Sequence, residues 1–221
     1  MRVSSTIPLL ALSLAFPVFA APKLGQTDIP KAAMAEVNDY FKRSGPKPGT
    51  AAPDFELERA RGGSIRASDL WKKRPVLITT GSYSCPQFRF TTDDRVALYW
   101  EFSDRVDFVI IYTQEAHCAD GSSPYTSVPF VPVENKTAGI AVSDAKTYEE
   151  RVSKARACRR NLKLLSEVVV DTMDNSTWKK YGSSPNCGYL IAPGGTVVLQ
   201  QGLFDAAEMR SALLKLLGED R

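Results

Sequence analysis

Four cysteines, at positions 85, 118, 158 and 187, and a single histidine, His117, are the residues that could carry nucleophilic or redox chemistry in this chain of 221 residues. No two cysteines form a Cys-x-x-Cys pair, and one histidine cannot complete the spacing of a structural zinc site, so neither a metal nor a cofactor is expected. Cys85 stands in Gly81-Ser-Tyr-Ser-Cys85-Pro86, directly before a proline suited to the first position of a helix. A thiol there would face unpaired backbone N–H groups and the positive end of the helix dipole, with Arg89 one turn on. Both favour the thiolate, the form that attacks sulfur or oxygen. The competing reading is an inert buried cysteine. His117 follows in Tyr112-Thr-Gln-Glu115-Ala-His117-Cys118. A histidine can give or take a proton near neutrality, or serve only as a structural hydrogen bonder. Glu115, two residues before it, could orient the ring or face solvent.

Those residues need a frame, and composition bounds it. With 43% hydrophobic and 24% charged residues the chain can bury one ordinary core, which excludes disordered and fibrous classes. Lys and Arg total 28 against 25 Asp and Glu. That balance is too small to advertise a nucleic-acid partner or an anionic membrane. Residues 1–20 run from Met1-Arg2 through an apolar stretch, Ile7 to Ala20, ending Val18-Phe19-Ala20. They have the form of a signal peptide cleaved after Ala20, too short for the roughly 20 apolar residues of a spanning helix. The expectation is a secreted or periplasmic protein without stable membrane insertion, in a compartment where disulfides persist. Residues 21–48 read as an N-terminal helix and a Pro/Gly-rich linker, and 49–221 as the working domain.

Within that domain, residues 55–66 around Gly62-Gly63 form a hairpin signal. Short apolar runs mark strands at 75–80, 106–113, 167–171, 188–192 and 196–200, the last two flanking the Pro193-Gly194-Gly195 turn. Helical periodicity covers 86–103, 144–165 and 206–217, with a short helix near 175–181. The basic cluster Arg151 to Arg160 reads as a solvated helix face. Right-handed crossovers make the first three strands parallel, and the terminal hairpin adds an antiparallel edge. The result is an α/β, thioredoxin-like fold: a mixed five-stranded sheet in the order 167–171, 106–113, 75–80, 188–192, 196–200, helices on both faces, with the N-terminal helix and hairpin beside it. Chemistry in such sheets collects beyond the carboxyl ends of the strands. Cys85 and His117 both fall there.

Two sets of motifs carry a family resemblance. Gly49-Thr-Ala-Ala-Pro53-Asp-Phe55, with Asp69-Leu70 and Arg74-Pro-Val-Leu, is similar to the opening segment of peroxiredoxins and exported thioredoxin-like reductases. More specifically, Gly81-Ser-Tyr-Ser-Cys85-Pro-Gln-Phe88, Phe108 to Gly121 around Glu115-Ala-His117, and Val168-Val-Val-Asp171-Thr-Met173-Asp-Asn175 with Tyr181-Gly182 and Tyr189-Leu-Ile191 resemble the iodothyronine deiodinase family over roughly residues 49–217. That resemblance implies a thioredoxin fold and reductive removal of iodine from aromatic rings. It places Cys85 where the animal enzymes carry selenocysteine, and Glu115 and His117 in the segment bordering their substrate pocket. The chain departs from them at Tyr83, where they have a cysteine, and at Asn186-Cys187-Gly188, where they have Glu-Arg, so the basic group expected to hold an iodothyronine carboxylate is absent; Tyr83 and Cys158 agree better with cysteine-containing bacterial relatives.

The expectation drawn from residues and resemblance together is an exported thiol oxidoreductase with Cys85 as nucleophile, His117 as proton donor or base and Glu115 as its orienting partner. Its partners would be a small-molecule substrate, such as an iodinated aromatic, and an external thiol reductant. A peroxiredoxin-like peroxidase, a thiol-disulfide reductase and a non-catalytic binding module using the 114–141 loop are the alternatives. Cys158 is expected in the core. Cys118 and Cys187 have no counterpart in the family, and a bracing disulfide between them is expected, the rival being that one of them resolves an oxidised Cys85. Asn135-Lys-Thr137 and Asn175-Ser-Thr177 fit the glycosylation pattern, and Asn175 also fits a helix cap.

Overall fold

A computed structural model describes residues 38–121, 123–125 and 130–219. The signal peptide expected at 1–20 and the part of the expected N-terminal helix before residue 38 lie outside the described residues. Residues 38–43 are helical (α1). The hairpin is β1 (Glu56–Arg59) and β2 (Ser64–Arg66), followed by the short helix α2 (Ala67–Trp71). Then come β3 (Val76–Gly81), α3 (Pro86–Phe90), α4 (Thr92–Phe102), β4 (Asp107–Tyr112), α5 (Val133–Thr137), α6 (Tyr148–Asn161) and β5 (Glu167–Val170). The chain closes with α7 (Ser176–Lys180), β6 (Gly188–Ile191), β7 (Val197–Gln201) and α8 (Ala206–Leu217).

The sheet order is β2-β1-β5-β4-β3-β6-β7. The five strands from β5 to β7 stand in the order expected from the sequence, with β3, β4 and β5 parallel and β6 and β7 antiparallel. The sheet has seven strands rather than five. The hairpin does not stand apart: β1 pairs antiparallel with β5, Glu58 opposite Val170 and Arg59 opposite Val169. Left bare, β5 would present a row of unpaired backbone groups at the sheet edge, and the hairpin covers them.

Every residue of β3 is buried, as befits a central strand covered on both faces. Alternate residues sort the core. Ile78, Val109, Ile111, Val169 and Tyr189 pack on one face with Trp71 and Tyr181. On the other face Ile110, Tyr112, Val168 and Val170 pack with Phe88, Val152 and Cys158, and Leu77, Phe108 and Leu190 pack with Met209 and Leu213 of α8.

The helix expected over 86–103 breaks at Thr91. The Thr91 and Thr92 hydroxyls bond back to the carbonyls of Gln87 (2.7 Å) and Phe88 (3.1 Å), competing with the backbone ladder. The 144–165 helix is shorter than its apolar pattern, starting after Thr147, whose side chain accepts from Glu150 N–H. Nor is Arg151 solvated: it is buried, and its Nη1 donates to Asn175 Oδ1 (2.8 Å) and the Thr172 carbonyl (2.5 Å). No helix among the described residues is long and apolar enough to cross a membrane.

Asp171, just past β5, is fully buried and starts α7. Its carboxylate accepts from the N–H groups of Thr172 (2.9 Å), Thr177 (3.2 Å) and Trp178 (2.8 Å). An Asp171→Ala variant is expected to unfold at lower urea, losing about 1–3 kcal/mol because buried donors are left unpaired. An unchanged midpoint would refute that capping role.

Candidate active site

Beyond Gly81 the chain leaves β3, turns through Ser82-Tyr83-Ser84, and enters α3 at Pro86 with Cys85 as the residue that caps the helix. Gly81 has no side chain because the Phe88 ring lies against it; a methyl there would collide with that ring. The turn is held from two directions. From the segment after β4, Glu115 Oε2 accepts from Ser84 N–H (2.8 Å), Ala116 N–H donates to Ser82 Oγ (3.1 Å), and His117 N–H donates to Ser84 Oγ (3.0 Å). From α5, the buried Asn135 gives its Nδ2 to the Ser84 carbonyl (2.8 Å) and accepts from Arg89 Nη2 (2.6 Å), while Arg89 Nη1 donates to the Tyr83 carbonyl (2.7 Å).

The sequence brings Cys85, Glu115 and the His117 backbone together, though not in the roles expected of each. Glu115 does not orient the His117 ring. Its carboxylate is occupied by the Tyr112 hydroxyl and by Ser84 N–H, so it positions the cysteine turn instead. Cys85 is 1% exposed. Burial pushes its thiol up to about 11, more than the Phe88 and Gln87 N–H groups and the charges of Arg89 and Arg95 take back. The resting residue is therefore a thiol, contrary to the lowering expected of a helix start. At pH 7 only about one molecule in 10⁴ carries the thiolate. Carbamidomethylation of Cys85 by iodoacetamide at pH 7 is expected to be about 10²-fold slower than that of free cysteine, rising with pH as the thiol ionises toward 11. Peptide mass spectrometry reads the rate; alkylation as fast as free cysteine would contradict it.

His117 is also desolvated, and burial pushes its imidazole down to about 4, against a backbone hydrogen bond with Phe130 and with a further lowering from Arg89. The ring is neutral at pH 7 and meets Phe130 edge-on at 5.3 Å. Its Nδ1 is buried with no hydrogen-bond partner among the described residues.

The expected disulfide between Cys118 and Cys187 is not made. Cys187 precedes β6 and lies 3.1 Å from Thr80 Oγ1, whereas Cys118 follows β4 and donates to the Glu115 carbonyl. Strand β3, between β4 and β6, separates the two. Neither is crosslinked to Cys85. Cys158 is buried on α6, in the core as expected, and burial raises its thiol strongly. Asn135 and Asn175 are buried with their amides engaged, so neither sequon is presented on the folded surface.

Two features were not read from the sequence. One is Asn135, placed over the turn by α5, which lies in a stretch that reads as a loop without period. The other is Arg95, whose signal was a cation on the buried stripe of α4 shared with Leu98 and Phe102. A pocket of about 560 Å³ is walled by Tyr40, Phe41, Tyr125 and Trp178, with Lys179 and Gln114 also lining it; none of residues 81–86 nor His117 is among its lining residues. Tyr125 also packs on the apolar cluster that encloses Cys85. Among the described residues no group of three or more His, Cys, Asp or Glu side chains could hold a metal ion.

Solved structures with this architecture include a thiol:disulfide interchange protein from a Bacteroides species (TM-score 0.54, 14% identity, 78% of this chain and 91% of that one). Another is the thioredoxin domain of a thiol-disulfide oxidoreductase from Bacteroides vulgatus (TM-score 0.50, 15% identity, 75% of this chain and 98% of that one). They establish the thioredoxin-like fold. In sequence, the thyroxine 5-deiodinase of Rattus norvegicus is 31% identical over 181 residues, covering 79% of this chain and 55% of the relative. The thyroxine 5-deiodinase of Homo sapiens is 29% identical over 181 residues with the same coverage. The chain thus spans about half the length of the curated relatives it matches. The family model for iodothyronine deiodinase matches residues 31–215, a span that holds the Cys85 turn, the Glu115-Ala-His117 segment and the strands that carry them, and the chain belongs to that family.

Proposed function

We propose that this chain is an exported thiol-dependent oxidoreductase in which Cys85 is the nucleophile, His117 its proton acceptor, and an iodinated aromatic its substrate. The observation that carries the reading is the turn before α3, where one cysteine is held by hydrogen bonds from the segment after β4 and from α5. A core cysteine does not need such a cradle. The His117 imidazole is neutral at rest and so vacant for a proton, but with the imidazole near 4 and the thiol near 11 the transfer is strongly uphill in the resting protein and has to be coupled to substrate binding. The pocket that shares Tyr125 with the cluster around Cys85 supplies aromatic walls for a ring and Lys179 for an anionic substituent.

In the proposed step the Cys85 thiolate attacks iodine. The carbon–iodine bond breaks with its electron pair left on the ring carbon, which takes up a proton; the substrate is reduced and the sulfur is oxidised to a sulfenyl iodide. An external thiol displaces iodide to give a mixed disulfide, and a second thiol restores Cys85 and leaves as the disulfide. Cysteine is a poorer donor here than selenium would be, and the same residue could instead reduce a peroxide or a disulfide.

The deciding experiment assays the reduced protein in parallel for iodide release from iodotyrosine and thyroxine, for hydrogen peroxide consumption and for disulfide reduction. Thiol-dependent iodide release is the expected result. Turnover in one of the other assays alone would keep Cys85 and replace the substrate. The burial of the thiol favours one further reading, a non-catalytic binding module, and inactivity in every assay would establish it in place of the enzyme.

A further inference from the structure

Arg95 on α4 is 4% exposed. Its guanidinium is sandwiched between the rings of Phe88 and Phe204, 4.6 and 4.3 Å from their centroids. Nη1 donates to the Phe88 carbonyl (3.1 Å) and Thr91 Oγ1 (2.7 Å), Nη2 donates to Asn186 Oδ1, and Nε has no hydrogen-bond partner among the described residues. Every acceptor is neutral. A buried cation without a paired anion is costly, and aromatic faces and neutral acceptors offset that cost only in part. Burial accordingly pushes the guanidinium down to about 9.

The ionisable groups around it come from four elements. Its own helix contributes Asp94, which is exposed to solvent; the turn before α3 contributes Cys85, the segment entering β6 contributes Cys187, and α6 contributes Cys158. Three of the four are thiols. Cys85 is the one of the three that stands at a helix start, where Arg89 of α3 is a second cation acting on it. Phe88 links the two sites, since its ring stacks on the Arg95 guanidinium, its carbonyl accepts from Arg95, and its side chain packs in the apolar cluster that holds Cys85. A charge fixed in place before the anion exists, in a site closed to water, is the arrangement by which enzymes stabilise charge that develops during reaction.

We propose that Arg95 is a positioning residue whose buried charge holds the anionic form of Cys85 during turnover, and which through Phe88 and Asn186 clamps the cysteine turn to the segment entering β6. The inference rests on Cys85 being the nucleophile. A purely structural role would be filled at least as well by an apolar residue, because the stripe it shares with Leu98 and Phe102 is apolar.

The test uses Arg95→Met, Arg95→Gln and Arg95→Lys in the whole protein, with Gln retaining an amide donor for Asn186. The Cys85 alkylation rate is followed by peptide mass spectrometry across pH 7 to 10, with Cys118 as internal reference. In the neutral variants the Cys85 rate at fixed pH should fall about 10-fold, a rise of one unit in its pKa, with the Cys118 rate changed less than twofold; Arg95→Lys should restore most of it. A folded neutral variant with an unchanged Cys85 rate overturns the proposal. So does loss of folding in both neutral variants with retention in Arg95→Lys, since the charge would then serve the fold. This readout is ionisation, not turnover, so its failure leaves Cys85 as nucleophile. Conversely, loss of the nucleophile assignment would come from a Cys85→Ser variant that still turns over.

Discussion

A Cys85→Ser variant is expected to lose all thiol-dependent turnover, down to the rate of the external reductant alone, while unfolding at the same temperature as the parent or slightly above it. The hydroxyl occupies nearly the volume of the thiol, and the bonds that hold the turn run through Ser82, Ser84, Arg89 and Asn135. Serine is moreover a better helix cap than cysteine: its oxygen can accept from the first turn of α3, a gain of up to about 1 kcal/mol. What it cannot supply is a polarisable nucleophile that cycles between reduced and oxidised states. Circular dichroism on heating, run beside the turnover assay, separates the two effects. A serine variant that still turns over would remove Cys85 from the mechanism.

His117→Ala should follow as the next largest loss, about 10²- to 10⁴-fold in turnover, because the thiol of Cys85 is protonated at rest and needs an acceptor. The backbone N–H of residue 117 would still reach Ser84 Oγ, so the turn itself should survive. The signature that separates proton transfer from packing is the pH profile. With the imidazole neutral above about 4, the parent should keep its acceptor across the neutral range. In the alanine variant turnover should instead climb steeply with pH as hydroxide takes over the deprotonation. Equal turnover in both proteins would return His117 to a structural role.

Much of the scaffold was legible because its signals are local. The β-branched runs of β3, β4 and β5 and the Pro-Gly-Gly turn define five strands and their order. The caps at Asp205 and Gly218 delimit α8 where the apolar pattern ends. The partner of the hairpin was not legible, since an alternating strand announces that it will pair but not with which edge. Nor was the break at Thr91, which depends on hydroxyls bonding backwards within a sequence that otherwise reads as one helix. At the site, the placement of Cys85 before Pro86 followed from local chemistry. Its pKa did not. The electrostatics of a helix start are written in the neighbouring residues, whereas desolvation is imposed by side chains from distant segments such as Tyr125. The disulfide expectation failed for a related reason: counting cysteines cannot show that a strand lies between two of them.

The topology also fixes the order in which the site can close during synthesis. Strand β3 finds β4 soon after both are made, but its other neighbour arrives much later, for Thr80 and Cys187 are separated by 107 residues. A growing chain therefore carries a finished strand and the cysteine that follows it well before Tyr125, Asn135 and the segment entering β6 exist to cover the sulfur. Contacts so distant in sequence form slowly, and the intermediate exposes what the finished fold hides. The period of greatest hazard to Cys85 is then its own biogenesis: a thiol sheltered in the mature molecule is open to stray oxidants, and to mispairing with the other three cysteines, while the far side of the sheet is still being made.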